Sequence, residues 1–385
     1  MPQQTLPADD GATLFGRVWR PDIGPAVVAI RGDDVVDITS RETPTASDLT
    51  ERTDAVARVR EAPGEAFVSV ADLLANADEQ GRDSARPWPL APIDLQAVKA
   101  SGVTFVQSLL ERVIEEQARG DASRAAALRE EIVGVIGADL SQLEPGSDEA
   151  MALKDVLQKK GVWSQYLEVG IGPDAEIFSK AQPMAAVGHG AFVGLHPVSK
   201  WNNPEPEVVL VVRSDGTIIG ATLGNDVNLR DVEGRSALLL GKAKDNNASA
   251  SVGPFIRLYD GGFGPSDVAN AELTMEVTGE DGFRLDGQSS MAEISRAPEA
   301  LVGAMIGDHH QYPDGVVLYC GTMFAPTKDR DAPGQGFTHH VGDVVRIATP
   351  KLGELVNRVT LSTKAAPWTF GTGALIKNLA GRGLL

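Results

Sequence analysis

The chain has 385 residues, of which 42% are hydrophobic and 23% charged, and its formal net charge is −18. This composition is typical of a globular protein with a substantial core, and the acidic balance argues against nucleic acid or an anionic membrane as a partner. Cys320 stands alone, which excludes an internal disulfide, and no apolar run approaches the ~20 residues that span a bilayer. The first residues lack the basic and apolar regions of a signal peptide, so we expect a cytoplasmic protein.

Short apolar runs separated by turn residues open the chain, at 13–19, 25–31 and 35–38. Runs of this length and spacing predict a small β module. The stretches 43–57 and 68–75 mix apolar and acidic residues in a way that predicts short helices.

A Pro-rich stretch at 86–92 follows, and we interpret it as a linker. The sequence therefore predicts a small N-terminal β-containing domain over residues 1–95. The second domain would then cover residues 96–385.

The second domain begins with helical patterns. Apolar residues between Phe105 and Ile114 recur at helical spacing with charged residues between them, and the segments 124–136 and 147–160 predict two further helices. From 207 to 359 the pattern changes to short apolar strands separated by Gly and Asp turns, which predicts a β-rich fold.

Three acidic residues surround the strand pattern that starts this β-rich part. Glu205 and Glu207 stand two residues apart, so an extended strand would place both carboxylates on one face, roughly 7 Å apart along the backbone. A turn at 214–216 and a returning strand would bring Asp226 close to them. Two glutamates in this spacing usually form only a solvated face, but the third carboxylate favours a site for Mg²⁺, Mn²⁺ or Ca²⁺.

The sequence after the second strand resembles that of a known family. Around Asp226 it is G-N-D-V-N-L-R-D-V-E, and L-G-K with Lys242 follows. These strings are similar to motifs of the fumarylacetoacetate hydrolase superfamily, with Asn228 and Glu233 in place of the family's Ser and Gln. Further similar strings occur in the family's order, at 178–180, 287–291 and 320–322.

The resemblance implies an α+β, β-rich fold of the fumarylacetoacetase type, which is a β-roll with peripheral helices, here with the small N-terminal domain added. It also implies a homodimer or homotetramer. It assigns the metal, Mg²⁺ or otherwise Mn²⁺ or Ca²⁺, to the three carboxylates named above.

The resemblance also assigns a pocket for a keto-acid substrate. Arg230 and Lys242 are cations suited to a substrate carboxylate and a developing enolate oxygen, and Lys242 takes a catalytic role. Glu233 would orient Arg230 or contact the substrate. Thr322 offers a hydroxyl and a backbone N–H for a carboxylate.

The string G-V-T-F, which ends at Phe105, is similar to the signature that opens the family's mobile lid. Hydrolytic members have a His and a Glu three and six residues after the aromatic residue. Here these positions are Ser108 and Glu111, so a base for activating water is missing. We expect Phe105 and Ser108 to contact the substrate and Glu111 to act as the general acid or base.

The departure at Ser108 and the long stretch 324–338 favour the sugar-acid branch of the family, whose members dehydrate 2-keto-3-deoxypentonates from D-xylonate or arabinonate to 2,5-dioxopentanoate. Two alternatives stay open. The chain would be a hydrolase or decarboxylase of acylpyruvates or ring-fission keto acids, or a non-catalytic binder of keto acids.

Overall fold

The computed structural model describes residues 5–9, 11–119, 121, 124–125, 143–159, 163–324 and 326–385, with the side chains of 106–108 and 115 excepted. The strands are β1 (Leu14–Arg20), β2 (Gly24–Arg31), β3 (Asp34–Asp37), β4 (Glu65–Ser69), β5 (Trp88–Leu90), β6 (Ala97–Gly102), β7 (Glu176–Ala181), β8 (Phe192–Leu195), β9 (Pro206–Val212), β10 (Ile218–Asp226), β11 (Ala250–Leu258), β12 (Glu272–Thr278), β13 (Arg284–Ser290), β14 (Val316–Tyr319), β15 (Val344–Thr349) and β16 (Gly353–Leu361).

The helices are shorter and surround these strands. They are α1 (Ala46–Thr50), α2 (Ala55–Glu61), α3 (Val70–Ala75), α4 (Val106–Ala118), α5 (Asp148–Lys159), α6 (Gln165–Ile171), α7 (Arg230–Glu233), α8 (Leu240–Lys244), α9 (Pro265–Ala269), α10 (Pro298–Met305) and α11 (Thr372–Gly381). None of the helices in the described residues is long and apolar enough to cross a membrane.

The strands form two sheets. The larger, 11-stranded sheet has the order β4-β3-β2-β1-β11-β10-β9-β14-β6-β7, with β5 paired to β1, and the smaller has the order β13-β12-β15-β16-β8. Most neighbours are antiparallel, while β6 runs parallel to β14 and β8 parallel to β16. The prediction of a β-rich α+β fold is confirmed.

Side chains of the larger sheet alternate between two hydrophobic cores. On β9, Val208 and Leu210 belong to a core shared with the smaller sheet, whereas Val209 and Val211 belong to a core that also contains Tyr319. Every residue of β9 is buried, which explains why its apolar run is continuous rather than alternating with polar residues.

The N-terminal strands extend the larger sheet. β1 pairs with β11, where Leu14 is opposite Arg257 and Phe15 opposite Ile256. The predicted small β module is present, and it is joined to the remaining strands by backbone hydrogen bonds. The division into domains at residue 95 stays a prediction.

Short helices form in both predicted stretches, but their bounds differ, and the expected linker is not a linker. The stretch 43–57 contains α1, which begins where the Thr45 hydroxyl accepts from Asp48 N, and the start of α2, with a turn between them. The stretch 68–75 begins as β4 and becomes α3 only after Ser69, which caps that helix. The expected linker contains β5, which pairs with β1.

The helices predicted near the start of the second domain correspond to α4 and α5. The predicted helix at 124–136 lies almost wholly outside the described residues. Residues 106–118 nevertheless form the complete α4 backbone, and this helix carries side chains to the site described next.

Candidate metal centre and active site

The β9–β10 hairpin positions the three acidic residues. Glu207 is opposite Gly224 in the register, and the backbone N–H of Asp226 donates to the carbonyl oxygen of Glu205 at 3.0 Å. Glu205 directly precedes β9, and because side chains alternate along an extended chain, Glu205 and Glu207 point to the same side. The turn predicted at 214–216 closes this hairpin, with Gly216 at φ +85°.

The three carboxylates form a buried cluster. One oxygen of each lies within 4.8 Å of the others, and the three residues are 2%, 1% and 1% exposed. Oε1 of Glu207 is buried and has no hydrogen-bond partner among the described residues. A hard divalent cation, which takes several oxygen ligands, fits this donor set. We therefore propose Glu205, Glu207 and Asp226 as its ligands.

The environment separates the acidities of the two glutamates. Burial, reinforced by the charges of Asp226 and Glu205, raises the pKa of Glu207 well above its usual value. Burial also opposes ionisation of Glu205, but Arg112 and Lys244 outweigh it and lower the pKa of Glu205 to about 2. The environment therefore favours the neutral form of Glu207 and the ionised form of Glu205.

Lys244, at the end of α8, reaches two carboxylates of the cluster. Its Nζ lies 2.5 Å from Oε2 of Glu205 and 3.0 Å from Oδ2 of Asp226. Although burial opposes a charged lysine, the nearby Asp226 and Glu205 raise the pKa of Lys244. Its ammonium group is thus a permanent positive charge within the cluster.

The structure does not place Lys242 in the site, contrary to our expectation. Lys242 is exposed, and the two lysines are separated by 200° on the helix. The G-K string therefore pointed to the wrong member of a Lys-Ala-Lys triplet. Lys244 occupies the position expected of Lys242.

A second buried lysine, Lys180 on β7, supports the cluster from another direction. Its Nζ is 2.7 Å from Oδ1 of Asp226 and donates to the carbonyl oxygen of Val227 at 3.0 Å. It also donates to the carbonyl oxygen of Lys244. Lys180 thereby fixes both Asp226 and the end of α8.

Alternate residues of β7 face the cluster. Lys180 and Phe178 are two residues apart, and the Lys244 ammonium lies 5.6 Å from the Phe178 ring centroid. Glu176 lies two residues before Phe178 on the same strand. Burial, together with the charges of Glu233 and Glu205, raises the pKa of Glu176 to about 7, against the opposing effect of Lys244 and Arg112.

Gly102 makes room for the Glu176 carboxyl group. The two residues are opposite each other in the β6–β7 register, and a Cβ atom at position 102 would overlap the Glu176 side chain. This contact explains why the G-V-T-F string begins with glycine. Any larger residue would displace a carboxyl group that titrates near neutrality.

A cavity of about 570 Å³ opens beside these residues. Glu176 and Glu233 line it together with Glu116 of α4, and Trp163, Tyr166 and Leu240 supply apolar walls. A cavity of this volume, lined by acidic and apolar side chains, is large enough for a small organic acid.

Arg112 of α4 connects this cavity with the cluster. Its guanidinium contacts Oε1 of Glu205 through Nη2 and lies 3.4 Å from Oε2 of Glu233 through Nη1. The sequence predicted a substrate contact for Glu233, and the structure places it at the cavity and beside Arg112. The substrate role itself stays a proposal.

The other residues predicted to bind substrate lie near the site but have partners of their own. Arg230 is buried, donates from Nη1 to the carbonyl oxygen of Pro326 at 3.1 Å, and lies 5.4 Å from the Trp201 ring centroid. The Thr322 hydroxyl donates to the carbonyl oxygen of Phe324 at 3.1 Å. For both, a contact with substrate stays a proposal.

The residues predicted to belong to a lid are associated with α4. Phe105 is buried directly before the helix, and its carbonyl oxygen accepts from Leu109 N. Glu111 is half-buried next to Arg112, and neighbouring residues on a helix point about 100° apart. The side chain of Ser108 lies outside the described part of the structure, so its predicted role is untested.

The comparison with known families decides the classification. Residues 168–360, half of the chain, match the fumarylacetoacetate (FAA) hydrolase C-terminal family. The chain belongs to the fumarylacetoacetate hydrolase family. The hairpin, the carboxylate cluster and both buried lysines lie within the matched residues.

Two curated proteins are similar to the chain. A 2-dehydro-3-deoxy-D-arabinonate dehydratase of Saccharolobus solfataricus is 30% identical over 48% of this chain and 58% of its own length. A probable 2-keto-3-deoxyxylonate dehydratase of Haloferax volcanii is 34% identical over 51% of this chain and 63% of its own length. The chain thus spans less than two thirds of each relative.

Solved structures confirm the fold. A 2-keto-3-deoxy-D-arabinonate dehydratase complexed with magnesium and 2,5-dioxopentanoate has a TM-score of 0.63 and 22% identity, covering 91% of this chain and 99% of that chain. A 5-carboxymethyl-2-hydroxymuconate delta-isomerase from Mycobacterium smegmatis has a TM-score of 0.54 and 19% identity, covering 90% and 99%. The predicted fumarylacetoacetase-type fold is therefore present, in a family fold that hosts different reactions.

Sequence reasoning missed Lys244, Glu176 and Arg112. A usable signal existed for Glu176, because it alternates with Phe178 and Lys180 in E-I-F-S-K and therefore shares their strand face. Arg112 and Lys244 reach the cluster across the fold, from separate helices, and their local sequence gives no comparable indication.

We predict that Lys244 and Lys242 differ sharply in their contribution to stability. Replacing Lys244 by Met leaves Glu205 and Asp226 with less compensating charge, and breaking a buried ion pair costs about 3–5 kcal/mol. Lys242→Met removes the same charge from an exposed position and should change stability by less than about 0.5 kcal/mol. Thermal unfolding of the two variants measures the difference, and equal midpoints would contradict the placement of Lys244.

We also predict that metal binding releases a proton from Glu207. Below the raised pKa this carboxyl is protonated, so an ion must displace the proton, and affinity should rise about tenfold per pH unit until Glu207 ionises without metal. Calorimetric titration with Mn²⁺ in buffers of different ionisation enthalpy measures the released protons. Glu207→Gln should weaken binding and abolish the pH dependence. Binding by the parent protein that does not vary with pH would exclude Glu207 as a ligand.

Proposed function

We propose that the protein is a hydro-lyase that uses a divalent cation, Mg²⁺ in the first instance, to dehydrate a 2-keto-3-deoxypentonate to 2,5-dioxopentanoate. The observation that carries this proposal is the buried carboxylate cluster with Lys244 and with Glu176, whose carboxyl group titrates near neutrality. The site therefore combines a place for a hard cation with a group able to accept and return a proton.

The relatives support the choice of reaction. The two curated relatives carry dehydratase names for 3-deoxy-2-keto sugar acids, and the solved dehydratase contains magnesium and 2,5-dioxopentanoate.

Dehydration of such a substrate breaks a C3–H bond and the C4–O bond. A divalent ion held by the cluster would polarise the 2-keto oxygen and stabilise the negative charge that develops when the C3 proton leaves. Lys244 adds a fixed positive charge beside the same carboxylates. Its pKa is raised, so we assign it electrostatic stabilisation rather than proton removal.

We assign the proton transfer to Glu176. As the carboxylate it accepts the C3 proton, and as the acid it gives that proton to the departing C4 hydroxyl, so that water leaves and 5-hydroxy-2-oxopent-3-enoate remains. A proton shift from C5 to C3 then gives the C4–C5 enol, and transfer of the enol O–H proton to C4 gives the C5 aldehyde. A group with a pKa of about 7 has both forms available at neutral pH.

The first experiment tests the reaction class. Incubation of the purified protein with Mg²⁺ and a panel of 3-deoxy-2-keto pentonates should form 2,5-dioxopentanoate, detected by NMR as a new aldehyde or its hydrate. Acylpyruvates and ring-fission keto acids, tested in parallel, should release neither a second acid nor CO₂. Cleavage of an acylpyruvate without any dehydration would establish the hydrolase alternative, and binding without turnover would favour the non-catalytic one.

The second experiment separates Glu176 from Glu111. Glu176→Gln should reduce kcat by about 10²–10⁴-fold and remove the limb near pH 7 from the pH profile of kcat/KM, while Mn²⁺ binding is retained. Glu111→Gln serves as the matched control and should stay within about threefold of the parent. The reverse result, in which only Glu111→Gln loses the chemical step, would restore the role predicted from the sequence.

A further inference from the structure

Arg112 bridges the carboxylate cluster and Glu233. It projects from α4 into the cluster, with only 8% of its side chain exposed, and its guanidinium fork spans two acids, Glu205 and Glu233. Two later residues of α4, Ile114 and Ala118, pack in one hydrophobic cluster with Trp201. This packing holds the helix against the segment that leads into Glu205.

Both carboxylate oxygens of Glu205 are engaged by cations. Oε1 accepts from Arg112 and Oε2 accepts from Lys244. A divalent ion at the cluster needs an oxygen of Glu205, and it also repels any positive charge within a few ångströms. An ion bound there therefore weakens the attraction between Glu205 and these two side chains.

Arg112 is better able to yield than Lys244. Lys244 is also bound to Asp226, and the carbonyl oxygen of Lys244 accepts from Lys180, so its position is fixed from two sides. The Arg112 fork has a second anion in Glu233, at 3.4 Å, and retains that partner when Nη2 leaves Glu205. Glu233 also lines the 570 Å³ cavity, so a released Nη2 donor stays beside the space for substrate.

We propose that Arg112 and the divalent ion compete for Glu205, and that the guanidinium displaced by the ion binds the carboxylate of the incoming 2-keto acid. Guanidinium groups bind carboxylates through paired, charge-assisted hydrogen bonds. Ion and keto acid then bind in order, because the ion frees the donor that the acid requires. The second half of this inference rests on the proposed function, since it takes a 2-keto acid as the ligand.

The test uses binding by the full-length protein rather than turnover. After chelator treatment, Mn²⁺ is titrated calorimetrically into the parent, Arg112→Gln and Arg119→Gln. Arg119 is an exposed arginine just beyond the end of α4, so its replacement removes the same charge from the same region. Arg112→Gln should bind Mn²⁺ about tenfold more tightly than the parent, whereas Arg119→Gln should stay within about twofold.

Pyruvate is then titrated into each protein at saturating Mn²⁺. It carries the 2-keto acid group but has no C4 hydroxyl to expel. Arg112→Gln should bind it at least about tenfold more weakly than the parent, since one charge-assisted contact is lost. Arg119→Gln should again match the parent.

Arg112→Lys keeps the charge but loses the fork, and it provides a second variant if Arg112→Gln does not fold. Its affinities for Mn²⁺ and pyruvate should fall between those of the parent and of Arg112→Gln.

Mn²⁺ affinity that falls or stays unchanged in the Arg112 variants would overturn the competition between Arg112 and the ion. Unchanged pyruvate affinity would overturn the contact between Arg112 and the substrate carboxylate. If these shifts occur but no 3-deoxy-2-keto acid is turned over, the role of Arg112 stands and the dehydratase proposal fails.

Discussion

The site depends on balancing negative charge that is buried. Glu205, Glu207 and Asp226 are almost inaccessible to water, and isolated ionised carboxylates are strongly disfavoured in such surroundings. The structure meets this constraint in two ways. It surrounds the cluster with cationic side chains, and burial beside Asp226 and Glu205 raises the pKa of Glu207, which favours its neutral form.

The compensating cations come from separate parts of the fold. Lys180 is on β7, Lys244 ends α8, and Arg112 lies on α4. The hairpin supplies the acids, but only the folded arrangement of these elements supplies the matching charge. Local unfolding of any of them would leave buried carboxylates uncompensated, which couples the integrity of the site to that of the whole sheet and its helices.

The parts of the site that follow from local periodicity could be predicted from the sequence. Two glutamates at a spacing of two, an apolar run, a glycine turn and a returning strand define the hairpin, and this geometry brings Asp226 to Glu205. The expectation of a β-rich fold followed from the same alternation of apolar runs and turns. The family resemblance added the fold type and the metal.

The remaining parts depend on contacts between distant elements. Lys242 and Lys244 are two residues apart, and only the docking of α8 against β7 determines which one is buried. Glu176 reaches the site because β7 pairs with β6, and it fits there because Gly102 has no side chain.

Two groups with shifted pKa values have complementary roles in the proposed reaction. Lys244 stays charged, and Glu176 exchanges a proton near neutral pH. Separating the pKa values of neighbouring groups in this way is how enzyme sites obtain a fixed charge and a proton carrier from ordinary side chains. The cavity lined by Glu176 and Glu233 then gives the keto acid a place beside the proton carrier.

The central claim is that the carboxylate cluster holds a divalent ion. Anomalous diffraction from crystals grown with Mn²⁺ and pyruvate tests it most directly. The account predicts one strong peak within about 2.5 Å of oxygens from Glu205, Glu207 and Asp226. A strong peak elsewhere would contradict it. The absence of a peak at the cluster, with Arg112 and Lys244 still bound to the two carboxylate oxygens of Glu205, would also contradict it.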